Sequence, residues 1–268
     1  MPTGGLGLIY GQSKLGKSYL AIGLAEAIST GKPSWLTLEI GKHGRVAFFQ
    51  ADMGRAESRD RVVRLNAAGL NLNGIHWHDR ETAPFPFDLK TNKHYEWLRK
   101  EIEETAPILV IVDTLRDCFA GDENDSQVMR DVMMRFIAAS RPAAILFLAH
   151  PRKAGQNYVP DLIEDFRGSS QVTGKMDAIA RLTPRAFEYK SRRGSGVIPI
   201  RRTPVWLWEP TSESQDDNPI DMKALQLVRT SPKGRNELAR TLIEEFHITE
   251  STARRKISQA QKMQEEEP

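Results

Sequence analysis

The sequence predicts an α/β fold: a doubly wound, mainly parallel sheet followed by a small helical unit at the C-terminus. Three observations carry that reading. An apolar run, residues 6–10, leads into the glycine loop Gly11-Gln12-Ser13-Lys14-Leu15-Gly16-Lys17-Ser18, and a helical pattern follows over residues 18–28. Residues 107–113 and 143–149 are near-continuous apolar runs that end in polar groups, Asp113 and His150, and strands of that kind are buried on both faces in a parallel sheet. Strand patterns alternate with helical patterns through the first two thirds of the chain.

The remaining elements follow in order. Residues 32–44 read as a loop rich in Gly and Lys, and 45–50 as a second buried strand ending near Asp52. Residues 55–68 are helical and strongly charged, 75–78 a short strand, 83–88 irregular, and 91–105 an amphipathic helix carrying Tyr95, Trp97 and Leu98. Residues 115–126 form a polar, acidic loop and 127–140 a helix. Residues 151–165 form a second loop, with Arg152 and Lys153, and 166–170 lead into a short helix. From 178 to 208 the pattern becomes short strands, with 188–196 running into a hairpin. Seven Lys or Arg and one acid lie between Arg181 and Arg202.

A chain of 268 residues accommodates one large α/β domain with a small appendage. The expected division is a domain over 1–210, a linker over 211–235 and a helix-turn-helix-like tail over 236–268. In the tail, Leu238, Leu242, Ile243 and Phe246 share one helical face, residues 248–251 turn with Thr249 or Ser251 as N-cap, and a second helix over 251–262 is basic. Its Arg254 and Arg255 are candidate nucleic-acid contacts, and a subunit-packing or solvated helix is the equal alternative. The net charge of +3 is too small to argue nucleic-acid binding from the total. Cys118 is the single cysteine, which excludes an internal disulfide and fits a reducing compartment. No signal peptide and no run of membrane-spanning length is visible, so a cytoplasmic protein without membrane association is expected.

The chemistry concentrates in the first loop. A G-x-x-x-x-G-K-[ST] stretch between a strand and a helix is a phosphate loop: Gly11 and Gly16 let successive N–H groups surround a phosphate, and the helix adds its positive end. Lys17 is placed to reach the β- and γ-phosphates of ATP, and Ser18 to ligate Mg²⁺. Ligands in such sheets bind at the carboxyl ends of the strands, where Asp52, Asp113 and His150 all fall. Asp113 suits a role in holding Mg²⁺, against the plainer reading of a strand-end Asp capping its turn.

These residues resemble the RecA-type ATPases of the DnaB/RepA replicative-helicase branch, most closely the short RepA-type hexameric helicases of plasmids and phages, over roughly residues 4–210. The resemblance implies a RecA-like core. It makes Asp52, which stands where that family has a glutamate, the carboxylate that polarises the attacking water; Glu57 is a possible substitute. It makes His150 the sensor of the γ-phosphate, and Lys190 and Arg192 the K-x-R pair that reaches a neighbouring subunit's nucleotide; the alternative is a solvated basic hairpin. The loops 115–126 and 151–164 would line a central channel holding single-stranded DNA, with Arg152 and Lys153 as contacts in the second. The N-terminal domain of the larger DnaB enzymes is not expected, since the first strand begins close to Met1. A homo-hexameric, ATP-hydrolysing motor on single-stranded DNA is thus expected. The alternative is an ATP-dependent DNA-binding switch, such as a recombinase-like, loader or regulatory ATPase without strand displacement.

Overall fold

The computed structural model describes residues 3–51, 53–83, 91–118, 126–150, 176–212, 223–224, 226–228, 234–246 and 250–266. The chain divides into two compact units, Met1–Pro210 and Thr211–Pro268.

The first unit is organised around a nine-stranded sheet. In chain order its elements are β1 (Leu6–Gly11), α1 (Lys17–Thr30), the two-residue strands β2 (Ser34–Trp35) and β3 (Leu38–Glu39), β4 (Val46–Gln50), α2 (Arg55–Ala67), β5 (Ile75–His78) and α3 (Asn92–Thr105). There follow β6 (Leu109–Asp113), a 3₁₀ turn over Leu115–Cys118, α4 (Ser126–Ser140), β7 (Ala144–Ala149), β8 (Ala178–Leu182), β9 (Ala186–Ser191), β10 (Gly194–Arg202) and β11 (Trp208–Pro210). The small β2–β3 hairpin is a difference from the loop expected over 32–44; it pairs Ser34 with Glu39 and Trp35 with Leu38. The 3₁₀ turn replaces the start of the expected 115–126 loop because Leu115 is buried in the core.

The strand order is β11-β10-β9-β8-β1-β7-β6-β4-β5. The six strands from β8 to β5 are parallel, and β9, β10 and β11 extend the sheet by antiparallel pairing. Strands β1, β4, β6 and β7 are buried along their whole length, as unbroken apolar runs dictate. Two apolar layers result. Leu8, Tyr10, Phe49, Val110 and Phe147 pack on one face with Leu98 of α3 and Phe136 of α4. Ile9, Phe48, Ile111 and Leu148 pack on the other with Leu20 and Ile22 of α1 and Leu65 of α2. Alternate residues of β1 thus serve opposite layers, and the sheet is doubly wound. This is the RecA-like P-loop core.

The second unit holds α5 (Arg235–Phe246) and α6 (Glu250–Glu266). Leu238, Ala239 and Leu242 of α5 pack with Ala253, Ile257 and Ala260 of α6 and with Ala224. Because α6 begins at Glu250, Ser251 is inside the helix and not its N-cap, while Thr249 lies outside the described residues. Among the described residues no helix is long and apolar enough to cross a membrane.

Candidate nucleotide-binding site

Strand β1 lies between β7 and β8, and the connections leaving the neighbouring strands β1 and β7 run in opposite directions across the sheet, to β4 and to β8. The carboxyl end of β1 is therefore a switch point, where a crevice opens beyond the strands. The glycine loop leaves β1 there and turns directly into α1. Its backbone takes the left-handed region twice, at Lys14 (φ 61°) and at Gly16 (φ 98°), which forms the N-terminal boundary of α1. Gly16 suits that conformation without strain, whereas Lys14 adopts it at a cost. Gly11 has a different reason to be glycine: a Cβ there would lie 2.7 Å from the carbonyl oxygen of Leu182 on β8.

Gln12, Ser13 and Lys14 are exposed on the loop, and Leu15, Gly16 and Ser18 are half-buried. Lys17 is 6% exposed. Its Nζ donates to the carbonyls of Gly11 and Gln12, both at 2.9 Å, and lies 3.4 Å from Nδ1 of His150. The structure thereby joins the first turn of α1 to the end of β7, a contact spanning more than 130 residues of chain.

Asp113 ends β6, the strand beyond β7, and is 2% exposed. It pairs in register with Gln50 at the end of β4, and its carbonyl accepts the Ala51 N–H at 2.8 Å. Asp52, one residue further on, lies outside the described residues. The strand end that leads to it is nonetheless fixed. Gln50 is fully buried, its Nε2 donates to Ser58 Oγ at 2.9 Å, and its Oε1 accepts from Arg61 at 3.1 Å, so α2 is pinned to β4 by a satisfied buried amide. Glu57, in the first turn of α2, is exposed. The hydroxyl of Ser18 and the carboxylate of Asp113 are hard oxygen donors of the kind Mg²⁺ takes.

Lys190 and Arg192 sit elsewhere. In the β8–β9 register Ala178 faces Ser191, and Ala178 also aligns with Gly7 of β1. The β9–β10 turn is therefore at the end of the sheet away from this chain's own glycine loop. Lys190 and Arg192 are exposed there. Nε of Arg192 pairs with Asp177 Oδ1 at 3.2 Å, while Asp177 Oδ2 accepts the Leu6 N–H at 2.9 Å. Arg152 and Lys153 lie outside the described residues. Arg254 and Arg255 are exposed on α6, and Arg254 forms an i,i+4 pair with Glu250 at 2.6 Å.

The structure also brings to the loop residues that the sequence reading missed. Strand β10 runs antiparallel to β9 and so returns to the loop end of the sheet. Arg202 there donates to the Leu15 carbonyl at 2.5 Å, and Trp208 Nε1 donates to the Gly16 carbonyl at 3.1 Å. The Arg202 guanidinium stacks 4.4 Å from the Trp206 ring centre and 5.2 Å from that of Trp208. The sequence signal available was the Arg201-Arg202 pair followed within six residues by two tryptophans.

A glycine loop at the carboxyl end of a central parallel strand, with a buried lysine inside it and a buried acid two strands away, defines a P-loop nucleotide-binding domain. A family model described as an AAA domain matches residues 1–156, and the chain belongs to that family, whose domain is an ATPase of the P-loop class. No curated protein matches the sequence.

Proposed function

We propose that this protein is an ATP hydrolase that assembles as a homo-oligomeric ring, a hexamer by resemblance, and moves on single-stranded DNA as a replicative-type helicase. The observation that carries the reading is the separation of its two cationic groups. Lys17 is in the glycine loop, whereas Lys190 and Arg192 are at the opposite end of the same sheet. One chain cannot bring both to one phosphate, but a second copy can complete the pocket.

In this reading the loop N–H groups and the positive end of α1 receive the phosphates. Lys17 exchanges its carbonyl partners for phosphate oxygens. Ser18 and Asp113 would hold Mg²⁺, which neutralises charge on the phosphates when bound. Asp52 orients the attacking water, and His150, already beside Lys17, responds to the γ-phosphate. The neighbouring copy's Arg192, with Lys190, stabilises charge spreading over the transferred phosphoryl group. DNA is held through its phosphates, largely without sequence preference, by Arg152 and Lys153. The exposed Arg254 and Arg255 offer a second contact.

Asp52 is one methylene shorter than glutamate, and that favours a second reading: a switch that assembles on DNA with ATP and turns over slowly. Hydrolysis rates with and without single-stranded DNA, mass with a non-hydrolysable ATP analogue, and a strand-displacement assay separate the two. DNA-stimulated hydrolysis with displacement supports the motor. ATP-dependent assembly with negligible displacement supports the switch. A monomer that hydrolyses no ATP in the presence of DNA contradicts both.

A further inference from the structure

Tyr19 follows Ser18 directly and is half-buried in the first turn of α1. Its ring centre lies 5.9 Å from that of Trp206, the planes inclined by 37°, and the Arg61 guanidinium lies 5.0 Å from the Tyr19 ring centre. Trp206 is 48% exposed, and its backbone is left-handed at φ 71°. The turn that holds it is closed by Thr203 N–H to the Leu207 carbonyl at 2.8 Å and Trp206 N–H to the Thr203 carbonyl at 2.9 Å. A large aromatic in this conformation is strained, and exposing half of an indole adds a hydration cost. The direct hydrogen bonds that clamp the loop come from Trp208 and Arg202, to the Gly16 and Leu15 carbonyls, and Trp206 reaches the loop only through the Arg202 stacked on it.

The position explains the cost. Tyr19 directly follows the loop, and Trp206 is joined to it through Arg202, which stacks on the indole and donates to the Leu15 carbonyl, so both rings border the place where residues 12–18 would hold phosphates. There the chain presents an indole and a phenol side by side, each with a guanidinium against it. Flat aromatic heterocycles stack on such surfaces whatever their hydrogen-bond pattern, and a nearby cation strengthens the contact. We propose that Tyr19 and Trp206 form the stacking platform for the nucleobase of the nucleotide whose phosphates occupy the glycine loop. Its indole comes from the turn between β10 and β11, beyond the residues that the AAA-domain family model matches, whereas Tyr19 lies on α1 within them. It recognises a planar base without fixing which one, so several nucleoside triphosphates should bind with similar affinity.

The inference rests on the loop being a nucleotide site, and the test keeps the two apart. Binding of ADP and of inorganic tripolyphosphate is measured by calorimetry on the full chain, on Trp206→Ala, on Trp206→Phe and on Lys17→Ala. Trp206→Ala should weaken ADP about tenfold and leave tripolyphosphate unchanged, with Trp206→Phe close to the parent. Lys17→Ala should lose both ligands. If Trp206→Ala binds ADP as tightly as the parent, the platform is refuted while the loop assignment stands. Equal weakening of ADP and tripolyphosphate would make Trp206 a shaper of the loop and refute it too. A loss of oligomer with no base-dependent change would make the indole a subunit contact, with the same consequence. Failure of the parent to bind ADP at all would remove both proposals.

Discussion

The indole N–H of Trp208 donates to the carbonyl of Gly16, 192 residues earlier in the chain, at 3.1 Å. The same carbonyl accepts the Leu20 N–H at 3.0 Å as the first hydrogen bond of α1. The last strand of the sheet is thus fastened to the residue on which the phosphate loop turns. A loop that must present its N–H groups to phosphate gains rigidity when its carbonyls are held from behind.

Removing that hydrogen bond should be felt at the loop. Trp208→Phe keeps most of the packing and loses the donor, so it should cost about 1 kcal/mol of stability and raise KM for ATP with little change in kcat. Gly16→Ala should cost more. Its Cβ would stand 3.2 Å from Trp208 Nε1 in a backbone with φ 98°, a strain on the order of 1–3 kcal/mol. Thermal denaturation and steady-state kinetics on both variants check this.

His78 should make the first unit sensitive to mild acid. It ends β5, stacked at 4.5 Å between ring centres on Phe49 and edge-on to Trp97 at 5.6 Å, with Nε2 buried and without a hydrogen-bond partner. Burial, helped by His76 and opposed by Asp79, pushes its pKa from 6.5 down to about 4. Glu101 is 3.9 Å away, and its own carboxyl is raised chiefly by burial. Between pH 6.5 and 4 the unfolded chain binds more protons at this position than the folded one. Stability is therefore highest above pH 6.5 and falls by about 3 kcal/mol as pH drops to 4. In His78→Phe, urea denaturation across this range should lose most of that slope.

The tail core should be separable from hydrolysis. Leu242 is fully buried among Leu238, Ala253 and Ile257, so Leu242→Ala should remove about 2–5 kcal/mol from the second unit. Basal ATP hydrolysis should be unchanged, and hydrogen exchange should show the loss confined to α5 and α6. A parallel fall in hydrolysis would mean that the tail supports the catalytic unit.

Much of this architecture was legible because its signals are local. The glycine loop, the unbroken apolar strands that became β6 and β7, and the hairpin that became β9 and β10 each declare themselves within about ten residues. The β2–β3 hairpin was hidden by the glycines and lysines around it. The Arg202–Trp206–Trp208 cluster could not be placed, since its partners Tyr19, Leu15 and Gly16 are some 190 positions away. Only the antiparallel register of β9 on β8 and β10 on β9 reveals which end of the sheet those residues reach. The same register puts Arg192 at the far end, a position that no spacing in the sequence announces.

Arg192→Ala should leave nucleotide binding intact and abolish turnover. Its pair with Asp177 is 73% exposed on the arginine side, so folding should change little. Nucleotide affinity by calorimetry, set beside hydrolysis rates, checks the split.

The claim that a second copy completes the pocket is tested most directly by mixing two inactive variants. Lys17→Ala keeps a working Arg192 but an empty-handed loop, and Arg192→Ala keeps a working loop. In mixed assemblies some pockets combine the intact loop of one copy with the intact arginine of its neighbour. Hydrolysis should therefore reappear on mixing and peak near equal proportions. Mixed assemblies, verified by mass, that stay inactive at every ratio would contradict the account.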